Sequence, residues 1–199
     1  MGPERVVSNP SGACFFALGS CSVLYTLPDR PNQVLKVPCP YDFYAQAFEI
    51  EKRIYHRLGK HSNLLNVVDV NQYGIYLERA SHGSIREYYR NGGDATLPEK
   101  VVWVTQVLHY LHQKNIHHAD LPGRNILLGS ERQILLCNFT DSAIDDERAT
   151  IVEEHGFRQP DKQHYECPTI QAELHSLGST IHEIVTGAKP YMGTMKQRP

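Results

Sequence analysis

A chain of 199 residues suits one domain or two small lobes, and its 41% apolar and 21% charged content is that of a globular protein able to bury a core. A formal charge of −2 excludes a broad basic surface for nucleic acid. Five scattered cysteines without paired spacing exclude a disulfide framework and fit a reducing compartment. No long apolar run follows Met1, so neither a signal peptide nor a membrane span is predicted, and a cytoplasmic or nuclear location, not secretion, is expected.

In chain order, the apolar and β-branched runs 13–26 and 33–38, broken by Pro28, Pro31 and Asn32, predict a strand, a turn and a second strand. From Tyr44 to Leu58, Ala47, Phe48, Ile50, Ile54, Tyr55 and Leu58 recur at helical spacing among charges. That predicts an amphipathic helix, stopped by Gly59. Leu64–Val70 and Gly74–Glu78 read as two further short strands. After Gly83 the pattern turns helical, with a short helix over Ser84–Tyr89 and a long one over Pro98–Asn115. Ile126–Leu128 and Ile134–Leu136 flank Gly129-Ser130 as a small hairpin, and Leu174–Val185 is an apolar helix capped by Gly187. The plan is α+β: a β-rich N-lobe over 1–82 and a helical C-lobe over 83–199, hinged near Glu78–Gly83.

The most specific segment is His118-Ala119-Asp120-Leu121-Pro122-Gly123-Arg124-Asn125-Ile126-Leu127-Leu128, set between a predicted helix and a predicted hairpin. A purely structural alternative has its His, Asp and Asn satisfying a buried turn. The segment resembles the catalytic loop of protein kinases, H-R-D-L-x-x-x-N. The resemblance implies that Asp120 orients and deprotonates an attacking hydroxyl, and that the Asn125 amide oxygen holds a metal ion on the phosphates.

Other parts of the family pattern follow in order. Lys36, in Val34-Leu35-Lys36-Val37, is similar to the strand lysine that grips the α- and β-phosphates. Glu51, in Glu51-Lys52-Arg53-Ile54, is similar to its ion-pair partner, although alone either would read as a surface charge. Leu77-Glu78-Arg79-Ala80-Ser81-His82-Gly83-Ser84-Ile85 resembles the kinase hinge. It implies Leu77 as gatekeeper, the backbone of Glu78 and Ala80 as adenine contacts, and Leu127 beneath the ring, where a plain core leucine is the alternative. Gly156-Phe157-Arg158-Gln159-Pro160-Asp161 resembles the end of an activation segment, and Glu173–Ile181 the central helix of the large lobe. The resemblance runs from about Phe16 to the end of the chain and is to Ser/Thr-type members of the protein-kinase-like superfamily, similar in wording to kinase-like proteins of filamentous fungi. It implies ATP and Mg²⁺ as ligands and a protein substrate or scaffold partner.

The pattern is degenerate. Ala17-Leu18-Gly19-Ser20-Cys21-Ser22-Val23-Leu24 stands where the family has G-x-G-x-x-G-x-V and keeps only Gly19. Leu18, Gly19 and Leu24 remain the implied nucleotide contacts there, with the phosphates held less tightly. Asn138-Phe139-Thr140 takes the place of D-F-G, and a neutral amide is a weaker ligand for a hard cation than a carboxylate. Mg²⁺ binding by Asn125 and Asn138 is therefore expected to be weakened. Asp141 lies three residues on and is expected to point elsewhere. Ala119 replaces the loop arginine that pairs with a phosphorylated activation segment, so that control is expected to be absent. The family's later helices are not found before Pro199, so a C-terminally truncated domain with Leu177, Ile181 and Ile184 exposed is expected.

Three functions stay open: a protein kinase with impaired activity, a pseudokinase acting as a binding scaffold, and a small-molecule phosphotransferase of the aminoglycoside-kinase type. The Gly83-Ser84-Ile85 exit, Pro160-Asp161 and the Glu173–Glu183 helix speak against the third. Among eleven histidines, His117 and His118 adjoin, but no Cys/His ligand spacing points to a metal site.

Overall fold

The computed structural model describes residues 12–94, 96–145, 147, 154–159 and 169–191. Strands β1 (Cys14–Leu18), β2 (Ser22–Thr26) and β3 (Gln33–Pro38) precede helix α1 (Asp42–Leu58) and strands β4 (Val67–Asn71) and β5 (Gly74–Glu78). They form one antiparallel sheet in the order β1-β2-β3-β5-β4. Next come α2 (Ile85–Arg90), α3 (Leu97–Gln113), β6 (Ile116–His117), a 3₁₀ turn (Gly123–Asn125), β7 (Ile126–Leu128), β8 (Ile134–Leu136), β9 (Ala143–Ile144) and α4 (Ile170–Thr186). The arrangement is α+β, of the protein-kinase-like kind, with a small helical part.

Alternation along β3 sorts its side chains. Val34 joins the main core with α1, while Leu35 and Val37 pack on the other face of the sheet with Leu27 and Tyr76. Lys36 shares the Val34 face, toward α1. On that helix Ala47, Phe48, Glu51, Ile54, Tyr55 and Leu58 are buried, so Glu51 occupies an inward position of an apolar stripe. A charge can stay there only if it is paired.

Several expectations are corrected. The run 13–26 is two strands, because the chain reverses at Gly19–Cys21, where Gly19 N–H donates to Ser22 O at 2.8 Å. Leu64–Asn66 is not part of β4. Leu64 and Leu65 are buried against β8 instead, with Leu65 N–H donating to Leu136 O at 2.9 Å. The last helix starts at Ile170, four residues earlier than expected, with the Thr169 hydroxyl accepting from Ala172 N–H, and ends as foreseen at Gly187, φ 70°.

Leu177 and Ile184, expected to be exposed, keep only 6% and 1% of their surface, and Ile181 packs against the same core. The inward stripe of α4 is covered by α2, α3 and the 3₁₀ turn. The exposed apolar residues of the helix are Ile170, Leu174 and Val185. Pro160 and Asp161 lie outside the described residues. Among the described residues, no helix is long and apolar enough to cross a membrane.

Candidate active site

The register β2–β3–β5 sets Lys36 between Leu24 and Ile75. Its Nζ lies 2.8 and 2.7 Å from the two carboxylate oxygens of Glu51, whose side chain is fully buried. The same Nζ donates to Asn138 Oδ1 at 2.7 Å. Glu51 Oε1 also accepts the Phe139 N–H at 3.0 Å, so one carboxylate joins α1, β3 and the segment after β8.

The loop from His118 to Asn125 is pinned by one face of α4. Glu173 Oε1 accepts the backbone N–H of Ala119 at 3.1 Å and that of His118. Thr180 Oγ1 donates to Leu121 O at 2.7 Å, and Glu183 Oε2 accepts Gly123 N–H at 2.9 Å. A side chain at Gly123 would meet the Glu183 carboxylate at 3.0 Å, a tight approach. Burial by itself would raise the Glu173 carboxyl, but bonds from His112, His117 and the Ala119 amide outweigh it and hold it at about 2. Burial lowers His118, which stays neutral, with Nδ1 accepting the Asp120 N–H at 3.3 Å and Nε2 donating to Cys137 O at 3.1 Å.

Asp120 is fully engaged. Arg124 Nη2 donates to both its oxygens, at 2.9 and 2.7 Å, and Asn125 Nδ2 donates to Oδ2 at 2.5 Å. Asn138 Nδ2 donates to Asn125 Oδ1 at 3.1 Å. A continuous chain of contacts thus runs Glu51–Lys36–Asn138–Asn125–Asp120. Arg124 also pairs with Glu154, which is held in turn by Arg86 at 3.1 Å and Lys189 at 2.6 Å. Arg86 forks onto Glu183 at 2.5 and 3.0 Å.

These groups border a cavity of about 620 Å³, the size of a small-ligand site. Leu18, Gly19, Leu24 and Lys36 line it from the sheet, Leu77, Glu78 and Ala80 from the end of β5 and the segment after it, and Leu127, Asn125 and Asn138 from below. Leu127 is set there because Leu128 N–H donates to Gly83 O at 2.9 Å and His82 N–H to Leu128 O at 3.1 Å, which ties the hairpin to the segment before α2. Asp120 and Glu51 stand behind this lining, reached through Arg124, Asn125 and Lys36.

Asp141, expected to point elsewhere, does not line the cavity. It is buried, its Oδ1 has no hydrogen-bond partner, and burial, reinforced by Asp120, pushes its carboxyl up to about 7. Lys36 and Arg124 partly offset that rise, so the group lies within the field of the cleft. Sequence reasoning missed the Arg86–Glu154–Glu183 cluster. Its members come from distant parts of the chain and leave no local pattern.

Residues 42–198 match the protein kinase domain family. The chain is 31% identical over 157 residues to a probable serine/threonine-protein kinase of Dictyostelium discoideum, covering 73% of this chain and 32% of that protein. It is 27% identical over 157 residues to the Aurora kinase of Schizosaccharomyces pombe, with 72% and 44% covered. With the cytokinesis protein sepH of Aspergillus niger it shares 30% identity over 124 residues, 59% of this chain and 9% of that one. The chain spans less than half the length of these relatives. The family in general uses ATP and Mg²⁺. A match over most of the chain, carried on this α+β fold, shows that the protein belongs to the protein kinase family.

Proposed function

We propose that this chain is a kinase domain that binds ATP in the cleft and transfers its γ-phosphoryl group to a protein hydroxyl at a reduced rate. The observation that carries the reading is Lys36: an ammonium paired with buried Glu51 opens onto a cavity of nucleotide size whose far wall includes Asn125 and Leu127. In this reading Lys36 meets the α- and β-phosphates, while Leu24, Leu77 and Leu127 enclose the base. The backbone of Glu78 and Ala80 bonds the base edge, and Leu18 and Gly19 cover the phosphates.

The Asp120 carboxylate accepts the proton as the hydroxyl oxygen attacks the γ-phosphorus, and ADP departs with the bridging oxygen. The incoming hydroxyl competes with the Arg124 guanidinium for that carboxylate. For Mg²⁺ the donor set fits only weakly. Asn125 and Asn138 would hold it through two neutral amide oxygens, both of which already accept hydrogen bonds. When bound, the ion neutralises phosphate charge.

A second reading, a nucleotide-binding pseudokinase scaffold, draws on the Asn138–Asn125 bond, in which the two amides satisfy each other where the family has a charged ligand. The test is a thermal-shift titration with ATP, with and without Mg²⁺, beside transfer of radiolabelled phosphate to a generic protein substrate. A shift with slow transfer supports the kinase reading. A shift without transfer selects the scaffold, and no shift rejects nucleotide binding.

A further inference from the structure

His112 lies in the last turn of α3, His117 in β6 and Glu173 in the first turn of α4, so three elements meet beneath the catalytic loop. The connection between the histidines reverses at Asn115, φ 54°, and returns the second imidazole alongside the first. The ring centroids are 5.3 Å apart and tilted by 42°. One ligand atom from each of His112, His117 and Glu173 lies within 4.8 Å of the other two. One carboxylate oxygen therefore faces two imidazole nitrogens, His117 Nδ1 at 3.3 Å and His112 Nε2 bonded to it as well. As hydrogen bonds, both rings must donate to the same atom. A single cation about 2.0–2.1 Å from each nitrogen would satisfy all three groups together.

We propose that His112, His117 and Glu173 form a divalent transition-metal site, with Zn²⁺ its best-fitting occupant. Two imidazoles and one carboxylate make a three-ligand zinc set, with the fourth position left to water. Mg²⁺ and Ca²⁺ are excluded by their demand for oxygen ligands, whereas imidazole suits zinc and its neighbours in the first transition row. The two imidazole side chains are 16% and 23% exposed while Glu173 has no exposure, so an ion enters across the rings onto a buried carboxylate floor.

The other oxygen of Glu173 accepts the backbone N–H of His118 and Ala119, the outer support that orients a metal-binding carboxylate. Occupied, the site fixes α3, β6 and α4 to one another and braces the loop two residues before Asp120. The role is that of a structural clamp. No spacing reveals it in the sequence, because Glu173 lies 56 residues beyond His117.

The full chain, stripped of metal with a chelator, would be titrated with Co²⁺ and then Zn²⁺. One equivalent of Co²⁺ should give visible d–d bands that Zn²⁺ abolishes, and Zn²⁺ should raise the melting temperature by several degrees where equal Mg²⁺ does not. The double variant His112→Ala/His117→Ala, which keeps every other histidine, should lose both responses. His117→Gln alters only the more exposed ring and guards against a folding defect; it should weaken Co²⁺ binding roughly tenfold or more at an unchanged metal-free melt. Absence of bands and shift in the parent chain, or an equal response in His117→Gln, would overturn the proposal.

Discussion

Asn138 Oδ1 accepts a hydrogen bond from Lys36 Nζ at 2.7 Å, so the residue at the family's metal-binding position is coupled directly to the lysine that pairs with Glu51. Its backbone sits at φ 67°, a region that Asn and Asp enter more readily than other side-chain-bearing residues. Asn138→Asp therefore fits without backbone strain and places a negative charge beside Lys36. Mg²⁺-dependent transfer should rise roughly a hundred- to a thousandfold, about 3–4 kcal/mol of charge stabilisation. Radiolabel transfer at saturating ATP is the check, and an unchanged rate would show that Asn138 does not limit transfer.

Removing the ammonium leaves Glu51 buried with, among the described residues, the Phe139 N–H as its hydrogen-bond donor. Lys36→Met should abolish the ATP-induced melting shift and destabilise the fold by about 3 kcal/mol or more. The double variant Lys36→Met/Glu51→Gln should recover part of that loss, since no buried charge is then unpaired. Urea denaturation of the two variants decides the point; equal midpoints for both would show that the pair is not energetically coupled.

The raised Asp141 carboxyl sets a pH dependence. The folded chain holds this proton up to about pH 7, while an unfolded Asp releases it near 3.8. Stability from the bound proton is therefore present at low pH and lost as pH rises from about 4 to 7, up to about 4 kcal/mol in full. Buried His118, with its pKa lowered, works in the opposite sense as its unfolded form takes up a proton first. Comparison with Asp141→Asn isolates the carboxyl: the variant should match the parent near pH 4 and melt higher at pH 8. Equal melts at pH 8 would mean that Asp141 is better satisfied than its burial indicates.

Gly74, φ 152°, packs against the strand that carries the lysine, and a Cβ there would lie 2.1 Å from Lys36 O. The obstacle is backbone, so β3 itself must move. Gly74→Ala should destabilise by about 3 kcal/mol or more and weaken nucleotide binding through displacement of Lys36. A variant that melts within a degree of the parent would show that the β3–β5 register has slack.

The sequence was legible where local chemistry decides the outcome. The Ile126–Leu128 and Ile134–Leu136 hairpin, the stripe of α1 and the Gly187 cap each follow from neighbours a few residues apart. The Lys36–Glu51 pairing and the approach of Asn125 to Asp120 followed from the family pattern. The two-residue strands β6 and β9 were too short to carry any periodicity. Burial of Leu177 and Ile184 was misjudged because their cover comes from α2, α3 and the 3₁₀ turn, which pattern alone does not bring onto α4. The His112–His117–Glu173 and Arg86–Glu154–Glu183 clusters exist only once distant segments meet.

Glu51 reaches in two directions, to an ammonium on the sheet and to the amide of Phe139. If α1 swings outward, the Glu51 carboxylate leaves both partners together, and the Lys36 ammonium stays behind on β3 without its counter-charge. The seat of the helix and that of the Phe139 segment therefore depend on the same side chain.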